Sequence, residues 1–401
     1  MTPIDIGHMS SFAALKSQRT DLIDWLFDDA LPTWADRGVD TRFGGFYEML
    51  EQDGRLIEQP RRTRLVSRQI FVFATAGELG WQASDSARDL VDHGLKFLVD
   101  KCQSVAGPVY ATVSPRGEPL ASEFNLYDHA FALFALGSAA RLGHGGELAI
   151  AAGHRIRDAM VAGWKHPFAG FEEAMPPREP LNANQHMHLL EAFLEWEEAG
   201  ETDGWQALAD EIVNLALGKF IDAASGAVRE HFDHEWSPIV GEPGQFLEPG
   251  HQFEWAWLLW RWGLARGRED VFPKVQRLAE IGETYGINDT TGLAMNGIWA
   301  DLSTRDAESR LWPQTERIKA HVAVAEIGTD ENEVDGAIRH ATDGARGLRR
   351  YFDTDITGLW HETLDANGHP VPAPARASSL YHIVCAIREL HRFVERHDRL
   401  G

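Results

Sequence analysis

The sequence predicts an all-α fold, an (α/α)6 barrel of six helical hairpins and twelve helices with short β-hairpins at one end. Three observations predict it. A Gly-rich strand–turn–strand pattern recurs around Gly44-Gly45-Phe46-Tyr47, Val109-Tyr110-Ala111-Thr112, Gly170-Phe171-Glu172-Glu173, Gly226-Ala227-Val228, Gly292-Leu293-Ala294 and Gly358-Leu359-Trp360. The aromatic or apolar residues just after each turn stand at 46, 110, 171, 228, 293 and 359, about sixty residues apart. A fixed period of this kind is the signature of a repeat architecture. Between the turns, apolar residues recur at three- and four-residue spacing, the mark of amphipathic helices.

The helical blocks follow in order. Phe12 to Leu31 opens the chain. Phe71 to Leu79 pairs with Leu90 to Leu98, Ala130 to Leu142 with Leu148 to Val161, and Leu189 to Trp196 with Trp205 to Phe220. Phe253 to Leu264 then pairs with Val271 to Tyr285, and Ile318 to Ile327 with Val334 to Phe352. Leu380 to Phe393 is left to pair with the first block. Pro313 suits a first helical turn, Pro249-Gly250 precedes another start, and Ser84-Asp85 opens a third. Six pairs in series can close into a toroid, which leaves no terminal repeat to cap.

Bulk properties bound the function. The 401 residues include 14 Trp and 20 Phe and are 44% hydrophobic, ample for a large core. No linker divides them, so residues 11–401 are expected to form one catalytic domain. Residues 1–10, with Gly7-His8-Met9 resembling a cloning scar, are expected to be a tag or a disordered N-terminus. A net charge of −23 opposes binding to nucleic acid and to anionic membranes. It also disfavours a phosphorylated substrate unless local arginines override it. Cys102 and Cys385 form no CxxC pattern and read as buried thiols. With no apolar span and no leader, the expected location is cytoplasmic.

The chemistry is expected where each hairpin feeds its next helix. Arg68, Tyr127 with Asp128 and His129, Asn182 with Asn184, His186 and His188, His251 with Glu254, Trp312 with Gln314 and Glu316, and Ser378 with Ser379 and His382 all lie near that point of the repeat. In a toroid they would converge on one mouth. His251 and Glu254, at i and i+3, share a helix face, and a carboxylate there would orient the ring and favour its protonated form. His186 and His188, at i and i+2, face apart, and no HExxH pattern occurs, so no metal is expected. There is no GxSxG elbow or phosphate loop. Glu254 with Glu316 would be the acid pair of a glycoside hydrolase on the same barrel. A non-catalytic sugar-binding module is the third reading, against which stand three groups that titrate near neutrality.

The stretches Gly44 to Tyr47, Asn182 to Ala192 (NANQHMHLLEA), Pro249 to Trp257 (PGHQFEWAW), Leu311 to Ala320 (LWPQTERIKA) and Ser378 to Ile383 (SSLYHI) resemble the N-acylglucosamine 2-epimerase superfamily. That superfamily includes cellobiose 2-epimerases, mannose isomerases and sulfoquinovose isomerases. The resemblance runs from about residue 12 to 395 and implies the same (α/α)6 barrel. It implies that His251 and His382 are the acid/base pair and that His186 assists ring opening. It further implies that Arg68, Tyr127, Asn182, Glu254, Trp312 and Glu316 contact substrate or orient the histidines. Ser378 replaces the amide of the sulfosugar isomerases, which argues against a sulfosugar. Trp312-Pro313-Gln314 looks most like the mannose isomerases.

The expected function is therefore metal- and cofactor-independent aldose–ketose isomerisation of D-mannose and D-fructose through an enediolate. A sugar 2-epimerase of mannose/glucose or cellobiose type is the near alternative. Histidine suits a step that removes and returns a proton beside a carbonyl, because its ordinary pKa of about 6.5 lies near neutrality. The expected partner is a monosaccharide alone, on a monomer or weak homo-oligomer.

Overall fold

The computed structural model describes residues 6–7, 9–81 and 84–399, and only the backbone of residues 84 and 85. Most of the segment set aside at the N-terminus lies outside the described residues, but two parts of it do not. Ile6 is buried in the core and Ser10 begins the first helix.

Among the described residues, thirteen α segments make twelve rods. α1 (Ser10–Trp25) runs through a π turn at Leu26–Ala30 into α2 (Leu31–Arg37). Then come α3 (Thr63–Glu78), α4 (Ser84–Phe97), α5 (Leu126–Arg141), α6 (Gly146–Gly163), α7 (Ala183–Glu198) and α8 (Trp205–Leu215). The chain ends with α9 (Pro249–Arg266), α10 (Phe272–Tyr285), α11 (Leu311–Ile327), α12 (Glu331–Arg349) and α13 (Ala377–Asp398). α3, α5, α7, α9, α11 and α13 each pack on the next, and α13 returns to α3. The remaining helices form the outer layer. The molecule is an (α/α)6 barrel.

The two layers follow from sequence pattern. On α5, Leu126 and every residue from Asp128 to Ala139 are buried, because the helix has neighbours on all sides. On α6 burial is confined to Ala149, Ala152, Gly153, Ile156 and Met160, one stripe at three- and four-residue spacing. Gly153 is required by close approach: a Cβ there would stand 2.1 Å from Trp196. Trp196 stacks on Trp205 at 4.7 Å and donates its indole N–H to the Leu133 carbonyl at 2.9 Å, joining α5, α6, α7 and α8.

The hairpins all lie at the end where the inner helices begin. A backbone hydrogen-bond ring ties that end together. The first N–H of α3, α5, α7, α11 and α13 reaches the carbonyl of Ala111, Glu173, Glu230, Glu362 and Glu48 respectively, each from the next repeat. α9 begins with Pro249, the residue with no N–H to give. The strand Met49–Leu50 pairs with Ala375–Arg376, so the first hairpin is stitched to the last helix. No described helix is long and apolar enough to cross a membrane.

Candidate active site

A cavity of about 350 Å³ opens at the hairpin end of the barrel axis. Its lining obeys a positional rule. The residues capping the inner helices are Arg62, Asn125, Asn182, Glu248, Arg310 and Arg376. Six positions after the caps stand Arg68, Phe131, His188, Glu254, Glu316 and His382; four of these line the cavity. Two or three positions after the caps stand Tyr127, Asn184, His251, Trp312, Ser378 and Ser379, which also line it. At 3.6 residues per turn these positions share one face, and the fourth position faces away.

His251 and His382 flank Trp312, with ring centroids 5.2 and 5.7 Å from the indole. Each histidine has its own carboxylate. Nδ1 of His251 lies 2.8 Å from Glu230, whose other oxygen accepts the Glu248 backbone N–H at 3.1 Å. Nδ1 of His382 lies 3.0 Å from Glu316. The two rings nevertheless differ in charge. Burial alone would lower His251, but the Glu230, Glu248 and Glu254 carboxylates overcome it and raise it to about 9. Burial, then Arg68, Lys319 and His188, hold His382 well below its ordinary range. At neutral pH the site therefore presents an imidazolium and a neutral imidazole.

The floor is polar and dry. His188 Nδ1 lies 3.2 Å from Glu191 and 3.8 Å from Glu254, and burial lowers it. Glu254 has no hydrogen-bond partner on either carboxyl oxygen. Burial and the neighbouring Glu316 raise it well above the carboxylate range. Arg68 donates to the Tyr127 hydroxyl at 2.9 Å and lies 4.0 Å over the Phe131 ring. Lys319, fully buried, is 2.5 Å from Glu316 and 3.8 Å above the Trp257 ring. At the rim, Glu248 holds Arg310 at 2.5 Å and Ser379 donates to Glu362 at 2.8 Å. The Arg376 guanidinium meets no acceptor among the described residues. Ligand-type atoms of His188, Glu191 and Glu254 approach within 4.8 Å. Glu191 Oε2, which meets His188, also accepts from Tyr381 at 2.5 Å, while Glu191 Oε1 has no hydrogen-bond partner among the described residues.

The structure gathers Arg68, Tyr127, His251, Glu254, Trp312 and His382 as the sequence predicts, and it corrects four details. His186 is not in the cavity. It stands four positions after its cap, where Nε2 accepts the Phe171 backbone N–H at 3.1 Å and Nδ1 meets the Asn182 carbonyl at 3.0 Å. His129, Gln252 and Gln314 occupy that position in other repeats and clasp Val109, Val228 and Ala294 the same way. The third histidine of the cavity is His188. Asn182 is the cap of α7 and binds Glu173 and His231; Asn184 lines the cavity instead. Glu316 stands behind His382 and does not reach the lining. The carboxylate that orients His251 is Glu230, from the preceding hairpin, and not Glu254. Counting each helix from its cap would have separated His186 from His188, since Gln252 and Gln314 align with the former and Glu254 and Glu316 with the latter.

Comparison with known proteins agrees with this fold. The family model for N-acylglucosamine 2-epimerase matches residues 44–386. A mannose-6-phosphate isomerase of Rhizobium meliloti (strain 1021) is 41% identical over 94% of this chain and 98% of its own. A D-mannose isomerase of Thermobifida fusca is 27% identical over 75% of this chain and 78% of its own. The solved cellobiose 2-epimerase of Bacillus thermoamylovorans B4167 superposes with a TM-score of 0.84 at 18% identity, covering 95% of this chain and all of that one. The chain belongs to the N-acylglucosamine 2-epimerase family and is an isomerase.

Proposed function

We propose that the barrel, as one domain over 11–401, interconverts D-mannose and D-fructose without a metal or other cofactor. The observation that carries this reading is the pair of histidines on either side of Trp312, each with a glutamate on Nδ1. Nε2 of neutral His382 takes the proton from C2 of the open-chain aldose. The His251 imidazolium gives its proton to O1 as the carbonyl electrons move onto oxygen. The resulting enediol then returns its O2 proton to His251, while His382, having exchanged its proton with water, delivers a proton to C1. Bonds and charges balance, and the enzyme ends as it began. Arg68 supplies hydrogen bonds to the developing negative charge. Trp312 offers its face to the sugar backbone. A hydrolase would need two available carboxyls, and Glu316 is enclosed between Lys319 and His382.

Incubation with D-mannose in heavy water tests this. Fructose carrying deuterium at C1 is expected. Glucose with deuterium at C2 would instead identify a 2-epimerase, which shares the first half of the reaction. Unchanged mannose without exchange would refute both.

A second reading, a hexose 6-phosphate, is favoured by the free Arg376 at the rim and by the name of the relative at 41% identity. Arg376 caps α13, and His382 lies six residues deeper, about 9 Å along the helix. Faster turnover of mannose 6-phosphate than of mannose, lost selectively in Arg376→Gln, is the expected sign of this reading.

A further inference from the structure

Lys319 is a lysine with no exposed surface in the middle of the barrel. Full burial of an ammonium is costly unless it is paired. Its nitrogen is 2.5 Å from Glu316, 3.8 Å from the Cys385 sulfur and 3.8 Å from the Trp257 ring centroid. The Glu254 and Glu191 carboxyls also act on it electrostatically. Nothing in the proposed reaction touches it. Resting on the acid/base reading above, we propose that Lys319 is a positioning residue that makes His382, rather than His251, the base of the pair.

The argument is one of proton counting. The two histidines look equivalent, each with a glutamate on Nδ1. Apart from His251 itself, Glu230 has no cation partner among the described residues, so its charge is available to hold an extra proton on His251. The charge of Glu316 is already matched by Lys319. Burial pushes Glu316 up, and Lys319 is the strongest influence opposing it. Glu316 thus remains an acceptor, takes the Nδ1–H of His382, and leaves the Nε2 lone pair toward the cavity. Without the ammonium, the Glu316–His382 pair would gain one proton. Whether that proton rests on the carboxyl or on the ring, Nε2 carries hydrogen in both arrangements, because a protonated Glu316 must donate to Nδ1. The base is lost either way.

Other groups facing His382 do not substitute. Arg68 on α3 and His188 on α7 disfavour its charged form, and Glu191 on α7 favours it. Tyr381 and Trp312 are its ring neighbours, and Ser379 is turned to Glu362. None of them touches Glu316, whose other contacts are the Thr315 hydroxyl and Lys319.

Nitrogen NMR of protein labelled in its histidines tests this directly, with His382 assigned by loss of its signals in His382→Gln. In the wild-type protein at pH 7, Nε2 of His382 is expected to be unprotonated and Nδ1 protonated. In Lys319→Met, Nε2 is expected to carry hydrogen at the same pH. The acid limb of the pH–rate profile should move up by about one pH unit or more. Lys319→Arg keeps the cation and should restore the wild-type pattern. A protonated Nε2 in the wild-type protein overturns the proposal even if Lys319→Met fails to fold, as does an unchanged Nε2 in a folded Lys319→Met. If the nitrogen signals shift as expected but no sugar is turned over by the wild-type protein, Lys319 keeps its role and the isomerase reading falls.

Discussion

The two ends of the barrel axis both hold buried charge, and they use it in opposite ways. At the far end, Arg141 bridges Glu78 and Glu195 at 2.9 and 2.7 Å, Arg261 binds Glu198 at 2.5 Å, and Arg388 lies 3.2 Å from Glu389. Arginine, with its fixed charge and forked donors, locks these carboxylates as anions. Glu78 and Glu198 are held down to about 2, against burial, by Arg141 and Arg261 respectively. At the mouth, Glu230 and Glu316 are instead partnered by one histidine each and by Lys319, Glu254 has no hydrogen bond, and an arginine enters only at the outer rim, where Arg310 meets Glu248. Charge matched by arginine is fixed; charge matched by histidine can move a proton. The difference separates scaffold from chemistry among residues that are equally buried.

The largest expected effect breaks the mouth. His251→Ala and His382→Ala should each lower kcat by roughly a hundred- to ten-thousand-fold while leaving circular dichroism and the melting transition near wild type. Retained turnover in either variant would contradict the pairing across Trp312. Breaking the far end should do the reverse. Glu195→Ala leaves buried guanidiniums unmatched and should cost about 3–5 kcal/mol of stability in denaturant titration, with little change in kcat per folded molecule.

A subtler test separates the ends by pH. Carboxylates held low contribute stability above their ordinary pKa, and it is lost as pH falls. The far end should therefore weaken as pH drops from about 4.5 toward 2. His251 is raised, so its contribution is complete below about 6.5 and is lost as pH rises through about 9. Melting temperature against pH should show both limbs. Glu230→Gln should remove the alkaline limb alone, and a limb unaffected by that change would assign it elsewhere.

The smallest expected effect is the most discriminating. His186→Gln should leave kcat within about twofold, because glutamine already fills that clasp in two other repeats. His188→Gln, two residues on, should lower kcat by at least about tenfold, since the ring touches Glu191 and Glu254. Equal effects would show that the count from the helix cap does not sort lining from latch.

That count also shows how much was legible in advance. The barrel was readable because period and amphipathicity are local properties: a helix with one apolar stripe belongs outside, and one apolar all round belongs inside. His251, His382, Arg68, Tyr127, Glu254 and Trp312 were readable because a shared phase in a closed repeat means a shared mouth. His186 misled because a two-residue difference reverses the side of a helix, and the precise start of each helix depends on hairpin contacts far along the chain. Glu230 was hidden for the same reason, being 21 residues from His251 and brought to it only by the hairpin.

By itself the sequence determined the architecture and the end of the barrel where the candidate site lies, both through periodicities within about sixty residues. His251 and His382 were singled out among the residues of that phase by the family resemblance. Tertiary structure alone decided which histidine is charged and which is neutral. Two histidine–glutamate pairs are set apart by their surroundings, Glu248 and Glu254 beside His251 and Arg68, Lys319 and His188 beside His382, and buried electrostatics depend on distances of a few ångströms between residues that the chain keeps far apart.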